Sequence, residues 1–373
     1  MSGGGAHAAY QVGVLRALVR ILPRHAPNPF SIYCGTSAGA INCATLAVHA
    51  DDLRAGVRRL THIWGHFAVG QVFTVDWGRL AANAARWSLA LASGGAGRPS
   101  HLALLDRRPL ADLLTAHLRL ASLETHIRSG ALHALSVTCS SYTTGRSLTF
   151  FEGARTLSGW HRAGREGVAT RLTHAHLLAS SAIPLVFAPV LVDGDYCGDG
   201  SMRQTAPLSS ALHLGAQRVF VIAAHNPEHE IAGEDGPPSL ARIAGHILNS
   251  LFLASLDADL EQMERINQTV RALTRSHAAV PAGLCEIACL TVHPSANLAA
   301  IASHDQRALP RSLRFFLGIG HARRDSVFAS YLLFERAYCR RLMSLGYADA
   351  MARADAIRAF LEGDTPVLGS ATG

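Results

Sequence analysis

The sequence predicts an α/β fold, and two observations lead to that class. Helical periodicity and short apolar, β-prone runs alternate through the first half of the 373-residue chain, as expected when helices pack on a sheet. The run at 212–224, "LHLGAQRVFVIAA", ends in a continuous apolar stretch of the kind buried in parallel sheets. Hydrophobic residues make up 49% of the chain and charged residues 16%, which indicates a core-forming protein and excludes a disordered one.

Periodicity and turn residues place the individual elements along the chain. The Asp193-Gly194 pair predicts a hairpin turn, and Pro109 marks the first turn of a helix. A polar, Pro- and Gly-rich loop at 225–239 separates the alternating part from a mostly helical remainder. The predicted elements are helices over 8–22, 37–50, 53–69, 106–118 and 251–273 with further helices to about 362, and strands within 30–34, 134–151, 212–224 and 285–293.

Charge and hydropathy limit the class of partner. The net charge is +7, but the arginines are spread along the chain with no basic block, so a nucleic-acid partner is not predicted. Arg311, Arg314, Arg323 and Arg324 surround the apolar stretch 315–320. This cluster is either a contact for an anionic membrane surface or a solvated basic face.

The same properties bear on location. The best apolar segment, 80–92, has 13 residues and includes an arginine, which is too short for a membrane-spanning helix. It predicts a buried or interfacial helix. The first residues show no secretory signal pattern. Seven cysteines without a zinc-type spacing favour free thiols in a reducing compartment. We therefore predict a cytoplasmic protein, with peripheral attachment to a membrane left open.

Three consecutive glycines, Gly3 to Gly5, lead directly into the first helix. Glycine runs let backbone N–H groups converge, and a helix N-terminus adds a positive dipole, so this segment predicts an anion or oxyanion cradle. Gly3, Gly5 and Ala8 also have the spacing of a dinucleotide-binding loop. That alternative requires an acidic residue at the end of the second strand, and "FSIYCG" has none.

The stretch Gly35-Thr36-Ser37-Ala38-Gly39 follows a predicted strand and begins a small-residue helix. This is the context of a nucleophile elbow, in which Ser37 would be a nucleophile and the Ala38 N–H would face the developing oxyanion. A tight structural turn remains the alternative. Much later, Asp199-Gly200 lies past the second strand of the predicted hairpin, where a turn is not obviously required. A carboxylate there could accept the proton of a serine hydroxyl.

Taken together, these three motifs resemble the patatin-like phospholipases. The resemblance covers roughly residues 2–224 and includes "AAYQVGVL" at 8–15 and "ASSAIPLVFAPV" at 179–190. It implies an α/β fold of the three-layer α/β/α sandwich type with a mostly parallel central sheet, to which this chain adds a mainly helical C-terminal extension. It also implies hydrolysis of lipid acyl esters, with no cofactor and no catalytic metal.

Roles for individual residues follow from the resemblance. Ser37 would be the nucleophile and Asp199 its general base, supported by Gly35, Gly39 and Gly200. The oxyanion would be bound by backbone N–H groups of the glycine loop and the elbow, that is, of Gly3, Gly4, Gly5 and Ala38. His7 and Ala8 stand where the family has Arg or Lys and then Gly. His7 keeps a donor but has no permanent charge, so we expect weaker or pH-dependent anion stabilisation.

The resemblance also shapes the expected domains. We predict a catalytic domain over 1–224, a loop over 225–239 and a mostly helical region over 240–373 that packs on or beside it. Family members carry an apolar strand just before the glycine loop, whereas this sequence begins at Met1-Ser2. The first strand is therefore expected to be missing, either because the true start lies upstream or because the loop lacks its support.

The predicted function is a lipid acyl-ester hydrolase of the phospholipase A or lysophospholipase type, acting through an acyl-enzyme. An acyltransferase or a small-ester esterase would use the same two residues, since only the acceptor differs. A non-catalytic, membrane-associated regulatory protein on the same fold is the remaining alternative. The predicted partner is a lipid or acyl-ester substrate, and the sequence does not indicate an oligomeric state.

Overall fold

The computed structural model describes residues 1–74, 78, 105–184, 186–226, 240–281, 283–302, 305, 309 and 326–363. The strands within these ranges are β1 (Ile32–Thr36), β2 (Ala134–Ser141), β3 (Ser147–Gly153), β4 (Trp160–Arg162), β5 (Arg165–Ala169), β6 (Val190–Val192), β7 (Asp195–Asp199), β8 (Arg218–Ile222) and β9 (Ala288–Val292). The helices are α1 (Ala8–Ile21), α2 (Ala38–Ala47), α3 (Leu53–Gly65), α4 (Arg108–His117), α5 (Ser122–Ser129), α6 (His174–Ser180), α7 (Ser209–His213), α8 (Leu240–Arg275), α9 (Leu298–Ala302), α10 (Ser326–Leu332), α11 (Arg336–Ala352) and α12 (Ala354–Glu362).

Strand β2 is the centre of a seven-stranded sheet. One of its edges pairs with β3 along nearly its whole length. The other edge is shared, since β1 pairs with residues 134–138 and β7 with residues 139–141. All eight residues of β2 are buried, which requires both faces of the sheet to be covered because successive side chains point to opposite faces. Strands β8 and β9 form a separate parallel pair.

The predicted α/β class with a mainly helical C-terminal part is confirmed. The large sheet is less parallel than expected, because only β1–β2 and β3–β5 are parallel pairs among its described strands. Its antiparallel pairs include three hairpins. The sequence predicted the β6–β7 turn at Asp193-Gly194, and it predicted strands within 134–151, where β2 and β3 lie. The third, β4–β5, was missed because its strands have only three and five residues and little alternation.

The described C-terminal helices contribute to the main hydrophobic core. Helix α11 packs along α1 at very short range, because each helix places a glycine against the backbone of the other. A Cβ on Gly13 would overlap the carbonyl oxygen of Met343, and one on Gly346 would overlap that of Tyr10. Leu342 and Met343 of α11 belong to the same buried cluster as the α1 side chains. The predicted division at 225–239 stays a prediction.

Several predicted features lie outside the described residues. They are the helix over 80–92, the arginine cluster at 311–324 and most of the polar loop. Helix α8 is described and is longer than the predicted 251–273. None of the helices that the structure describes is both long enough and apolar enough to cross a membrane.

The α1–α11 contact predicts a sharp difference between two glycine substitutions. Gly346→Ala should lower the free energy of unfolding by at least about 1 kcal/mol, because overpacking against the Tyr10 carbonyl outweighs the helix-propensity gain of about 1 kcal/mol. Gly65→Ala is the matched control, since the nearest atom to its added Cβ is a methionine methyl 3.7 Å away. Urea denaturation of the two variants measures the difference. Equal stabilities would contradict this account of the packing.

Candidate active site

The shared edge of β2 brings Ser37 and Asp199 together. In the β1–β2 pair, Thr36 lies opposite Thr138. In the β7–β2 pair, Asp199 lies opposite Cys139. Strands β1 and β7 therefore meet end to end at consecutive positions of one strand, and the residues at their carboxyl ends lie side by side although 162 positions separate them in the sequence.

Ser37 lies in a strained turn between β1 and α2. Its backbone has φ 54° and ψ −131°, and a non-glycine residue in such a region costs on the order of 1–3 kcal/mol. The Ser37 N–H donates to Ser180 Oγ at 2.8 Å, and that hydroxyl donates to Thr138 O at 2.6 Å. Ser180 thus connects the strained turn to β2. The sequence indicated its segment, "ASSAIPLVFAPV", but not this role.

The glycines that flank Ser37 permit close backbone approach. A Cβ on Gly35 would lie 2.5 Å from the Cα of Ala40, so α2 could not begin where it does. A Cβ on Gly39 would overlap the carbonyl oxygen of Ser2. The first glycine therefore permits the sharp entry into the helix, and the second lets the N-terminal backbone lie against it.

Asp199 is almost completely buried, with 1% of its surface exposed. Its Oδ1 accepts from the Ser201 N–H at 3.0 Å, and its Oδ2 has no hydrogen-bond partner among the described residues. Burial raises the pKa of Asp199 to about 6, although the Ser201 N–H and the nearby Ser37 hydroxyl both lower it. The hydroxyl is therefore close to the carboxylate without forming a well-aligned hydrogen bond to it.

The glycine loop has the backbone conformation of a tight turn. Gly4 and Gly5 have φ of 145° and 53°, and a short 3-10 turn over Gly5–His7 continues into α1. The positive φ of Gly5 disfavours a side chain there. Packing excludes one as well, because its Cβ would overlap the carbonyl oxygen of Tyr331. The N–H groups of Gly4, Gly5 and Ala38 make no hydrogen bond to any described residue.

The N-terminal backbone supports this loop. The Met1 amino group donates to Cys34 O at 2.8 Å, and the Thr36 N–H donates to Met1 O at 3.3 Å. Met1 therefore adds to the edge of β1 as a residue in a parallel strand would. Beyond it, a groove of about 370 Å³ opens along β1 and β8. Neither Ser37 nor Asp199 is among the described residues that line this groove.

His7 is neutral and bonded to the C-terminal region. Its Nε2 lies 2.8 Å from Ser330 Oγ, and that hydroxyl donates to Val327 O at 2.6 Å, so Nε2 carries the proton that His7 donates. Burial, with a smaller contribution from His225, lowers the pKa of His7 to about 3. The Nε2–H group of His7 therefore donates to Ser330 of α10, and Nδ1 is buried without a partner among the described residues.

An apolar cavity of about 60 Å³ adjoins the serine. Gly5, Ser37 and Ala38 are among its described lining residues. The remaining described lining comes from α2, from α3 and α4 with the segments that follow them, and from the segments after α6 and α10. The sequence analysis did not identify this cavity, because its walls are ordinary core positions of several separate elements.

Comparison with known proteins places the chain in a family. The family model for patatin-like phospholipases matches residues 1–212. The chain belongs to the patatin-like phospholipase family. The predicted resemblance is therefore confirmed. The match ends within α7, so the two-stranded sheet and the helices from α8 onward lie beyond it.

Curated proteins and solved structures give two further comparisons for the patatin-like chain. No curated protein matches it. Among solved structures, VipD from Legionella pneumophila is similar at 14% sequence identity and a TM-score of 0.35. The alignment covers 95% of this chain and 66% of VipD, so the chain spans just under two thirds of that protein's length.

The burial of Asp199 predicts a stability gain from removing its charge. The folded pKa of about 6 lies above the ordinary aspartate value of 3.8, so ionisation disfavours the folded state. This penalty is complete above about pH 6 and disappears as the pH falls through about 4. Asp199→Asn should therefore raise the unfolding free energy at pH 8 by up to about 3 kcal/mol.

Urea denaturation at pH 8 and pH 4 measures this effect. The gain should shrink strongly at pH 4, where the carboxyl group is largely neutral in the folded protein. Asp112→Asn, at an exposed position of α4, is the control and should show little change. A gain of equal size at both pH values would contradict the electrostatic explanation.

Proposed function

We propose that this patatin-like protein hydrolyses acyl esters of lipids with Ser37 as the nucleophile and Asp199 as the general base. The observation that carries the proposal is the end-to-end meeting of β1 and β7 on one edge of β2, which puts a strained serine beside a buried carboxylate. A buried carboxylate with a raised pKa and a free oxygen is suited to accept a proton near neutral pH.

The proposed reaction has two steps. Ser37 Oγ attacks the ester carbonyl carbon, its proton passes to Asp199, and the tetrahedral oxyanion is bound by unpaired backbone N–H groups. Collapse breaks the bond to the leaving alcohol, which takes the proton from Asp199. Water then attacks the acyl-enzyme and gives its proton to Asp199. The bond from the acyl carbon to Ser37 Oγ breaks, Asp199 returns the proton to Oγ, and the fatty acid is released.

The geometry supports Gly4, Gly5 and Ala38 as the oxyanion donors. Their N–H groups lie at the starts of the turn and of α2, where no acceptor within a helix exists for them. The N-terminal ends of α2 and of the 3-10 turn that continues into α1 also carry partial positive charge. Gly3 remains a further candidate from the sequence. The neutral His7 is better suited to hold the loop against α10 than to supply charge.

Substitution of the two proposed catalytic residues tests the chemistry. Ser37→Ala and Asp199→Asn should each lower kcat by at least about 1,000-fold, as observed for residues that act as one unit. The assay follows p-nitrophenyl butyrate and mixed phospholipid vesicles with purified, folded protein. Ser31→Ala, at an exposed position just before β1, should keep full activity. If the wild type is no more active than Ser37→Ala, the proposed hydrolase activity is wrong, and a binding role on the same fold is favoured.

The raised pKa predicts a pH profile. The proposed base must be ionised, so kcat/KM should fall tenfold per pH unit below about pH 6 and reach a plateau above it. Initial rates between pH 4.5 and 8.5 at constant ionic strength measure the profile. Asp193→Asn should leave the midpoint unchanged. A midpoint near 4, typical of an exposed carboxyl group, would show that the buried carboxylate is not the base.

A further inference from the structure

Two buried amide side chains, Gln11 and Asn42, join the helices that follow the proposed oxyanion donors. We infer that they are positioning residues, whose hydrogen bonds hold the glycine loop and the nucleophile elbow in one mutual orientation. In that orientation the backbone N–H groups of both segments face the same oxygen. The inference rests on the proposed function, because it concerns the oxyanion site of the same serine.

The proposed donors belong to two segments that are separate in the chain. Gly4 and Gly5 lie at the turn that leads into α1, whereas Ala38 is the first residue of α2. The whole of α1 and β1 lies between them, so local backbone geometry does not set their relative position. Oxyanion donors must lie about 2.7–3.1 Å from one oxygen. A tertiary contact is therefore needed to align the two segments.

The two amides supply such a contact at the starts of the helices. Gln11 and Asn42 are both completely buried, and each lies about one turn after the first residue of its helix. Asn42 Nδ2 donates to Ala8 O at 3.1 Å and to Gln11 Oε1 at 3.0 Å. Helix α2 is thus bonded to the first turn of α1, next to the glycine loop.

Gln11 continues the link to the glycine loop itself. Its Nε2 donates to Ser2 O at 2.8 Å, and the same carbonyl oxygen lies so close to α2 that a Cβ on Gly39 would overlap it. The peptide unit is planar and trans, so fixing the Ser2 carbonyl also fixes the direction of the Gly3 N–H. That N–H makes no hydrogen bond to any described residue. Gln11 therefore orients the peptide at which the glycine loop begins.

The hydrogen-bond chain has a single consistent direction. Trp64 Nε1 can only donate, and it donates to Asn42 Oδ1 at 2.9 Å. The Asn42 nitrogen must therefore face Gln11, which presents its amide oxygen in return. The Gln11 nitrogen is then directed to Ser2 O, which can only accept. Because both ends of the chain are fixed, neither amide can turn over without losing hydrogen bonds.

Stability alone does not require amides at these two positions. The other buried residues of α1 and α2 are mainly apolar, and replacing both partners of a buried hydrogen bond by apolar groups of the same shape is often nearly neutral. A fully bonded polar network differs from apolar packing because it is satisfied in only one arrangement, which makes the core rigid and unique. Here the arrangement that it fixes is that of two helix starts.

Apolar replacements test the inference. Asn42→Leu and Gln11→Met keep the approximate size of each side chain and remove its directional bonds. Both kcat and kcat/KM should fall by about 10- to 100-fold, because a small misplacement of the donors weakens binding of the transition state alone. KM should then stay within about twofold of the wild-type value. The assay follows p-nitrophenyl butyrate at pH 8 with purified protein, and Ser37→Ala gives the background rate.

A double variant distinguishes one connected link from two separate packing defects. Gln11→Met combined with Asn42→Leu should be about as slow as the slower single variant, because residues that act as one unit have non-additive effects. Two independent defects would instead multiply their losses of kcat, and that result would contradict the inferred link.

Asn267→Leu is the matched structural control. Asn267 is also buried, and its amide donates to Ile287 O and accepts from the Ile287 N–H, each at 2.9 Å. Ile287 belongs to a hydrophobic cluster separate from that of α1 and α2. The variant should lower the urea midpoint, because the Ile287 backbone loses both partners, while kcat stays within about twofold of the wild-type value.

Trp64→Phe keeps the inference testable if the amide variants fail to fold. It retains an aromatic ring and removes only the donor that sets the direction of the chain. Asn42 is then free to turn over, so kcat and kcat/KM should fall together by at least about threefold.

The outcomes separate the two proposals. If Ser37-dependent hydrolysis is present and every folded variant of the chain keeps the wild-type kcat, the positioning inference is wrong while the hydrolase stands. An equal loss of kcat in Asn267→Leu would also overturn it, because activity would then follow stability. If the wild type shows no Ser37-dependent hydrolysis, the proposed function itself fails, and the inference fails with it.

Discussion

The site depends on how one edge of β2 is divided between two strands. Strand β1 pairs with residues 134–138 of β2, and β7 pairs with residues 139–141. The carboxyl ends of two strands that are far apart in sequence therefore meet at consecutive positions of β2. A slip of one residue in either pairing would turn the serine or the carboxylate to the other face of the sheet. The register of β2 is therefore the constraint on which the proposed catalytic geometry depends.

Two features of the site are energetically unfavourable, and the packing around them compensates. Ser37 has an unfavourable backbone conformation, and Asp199 is buried with one oxygen unpaired. Such features persist only where packing over-determines them. Here Ser180 holds the turn from one side, and the close α1–α11 contact holds the glycine-loop helix from the other.

The C-terminal region contributes to the environment of the N-terminal motifs. Tyr331 packs its carbonyl against Gly5, Ser330 accepts a hydrogen bond from His7, and Phe334 lines the cavity beside the serine. All three follow the end of the family match at residue 212. The glycine loop is thus supported by α10, a helix that the motif analysis did not connect with it, because contacts over more than 300 residues leave no local pattern.

The sequence by itself determined the fold class, the family and most of the elements, because hydrophobic periodicity, glycine pairs and proline act locally. It also identified Gly35, Ser37, Gly39 and Asp199 as candidates, since a strand followed by a sharp small-residue turn is a local pattern. Only the tertiary structure decided that Ser37 and Asp199 are neighbours, that His7 is neutral, and that the cavity beside the serine is small. These properties depend on strand register, burial and side-chain packing between distant segments, which sequence patterns do not encode locally.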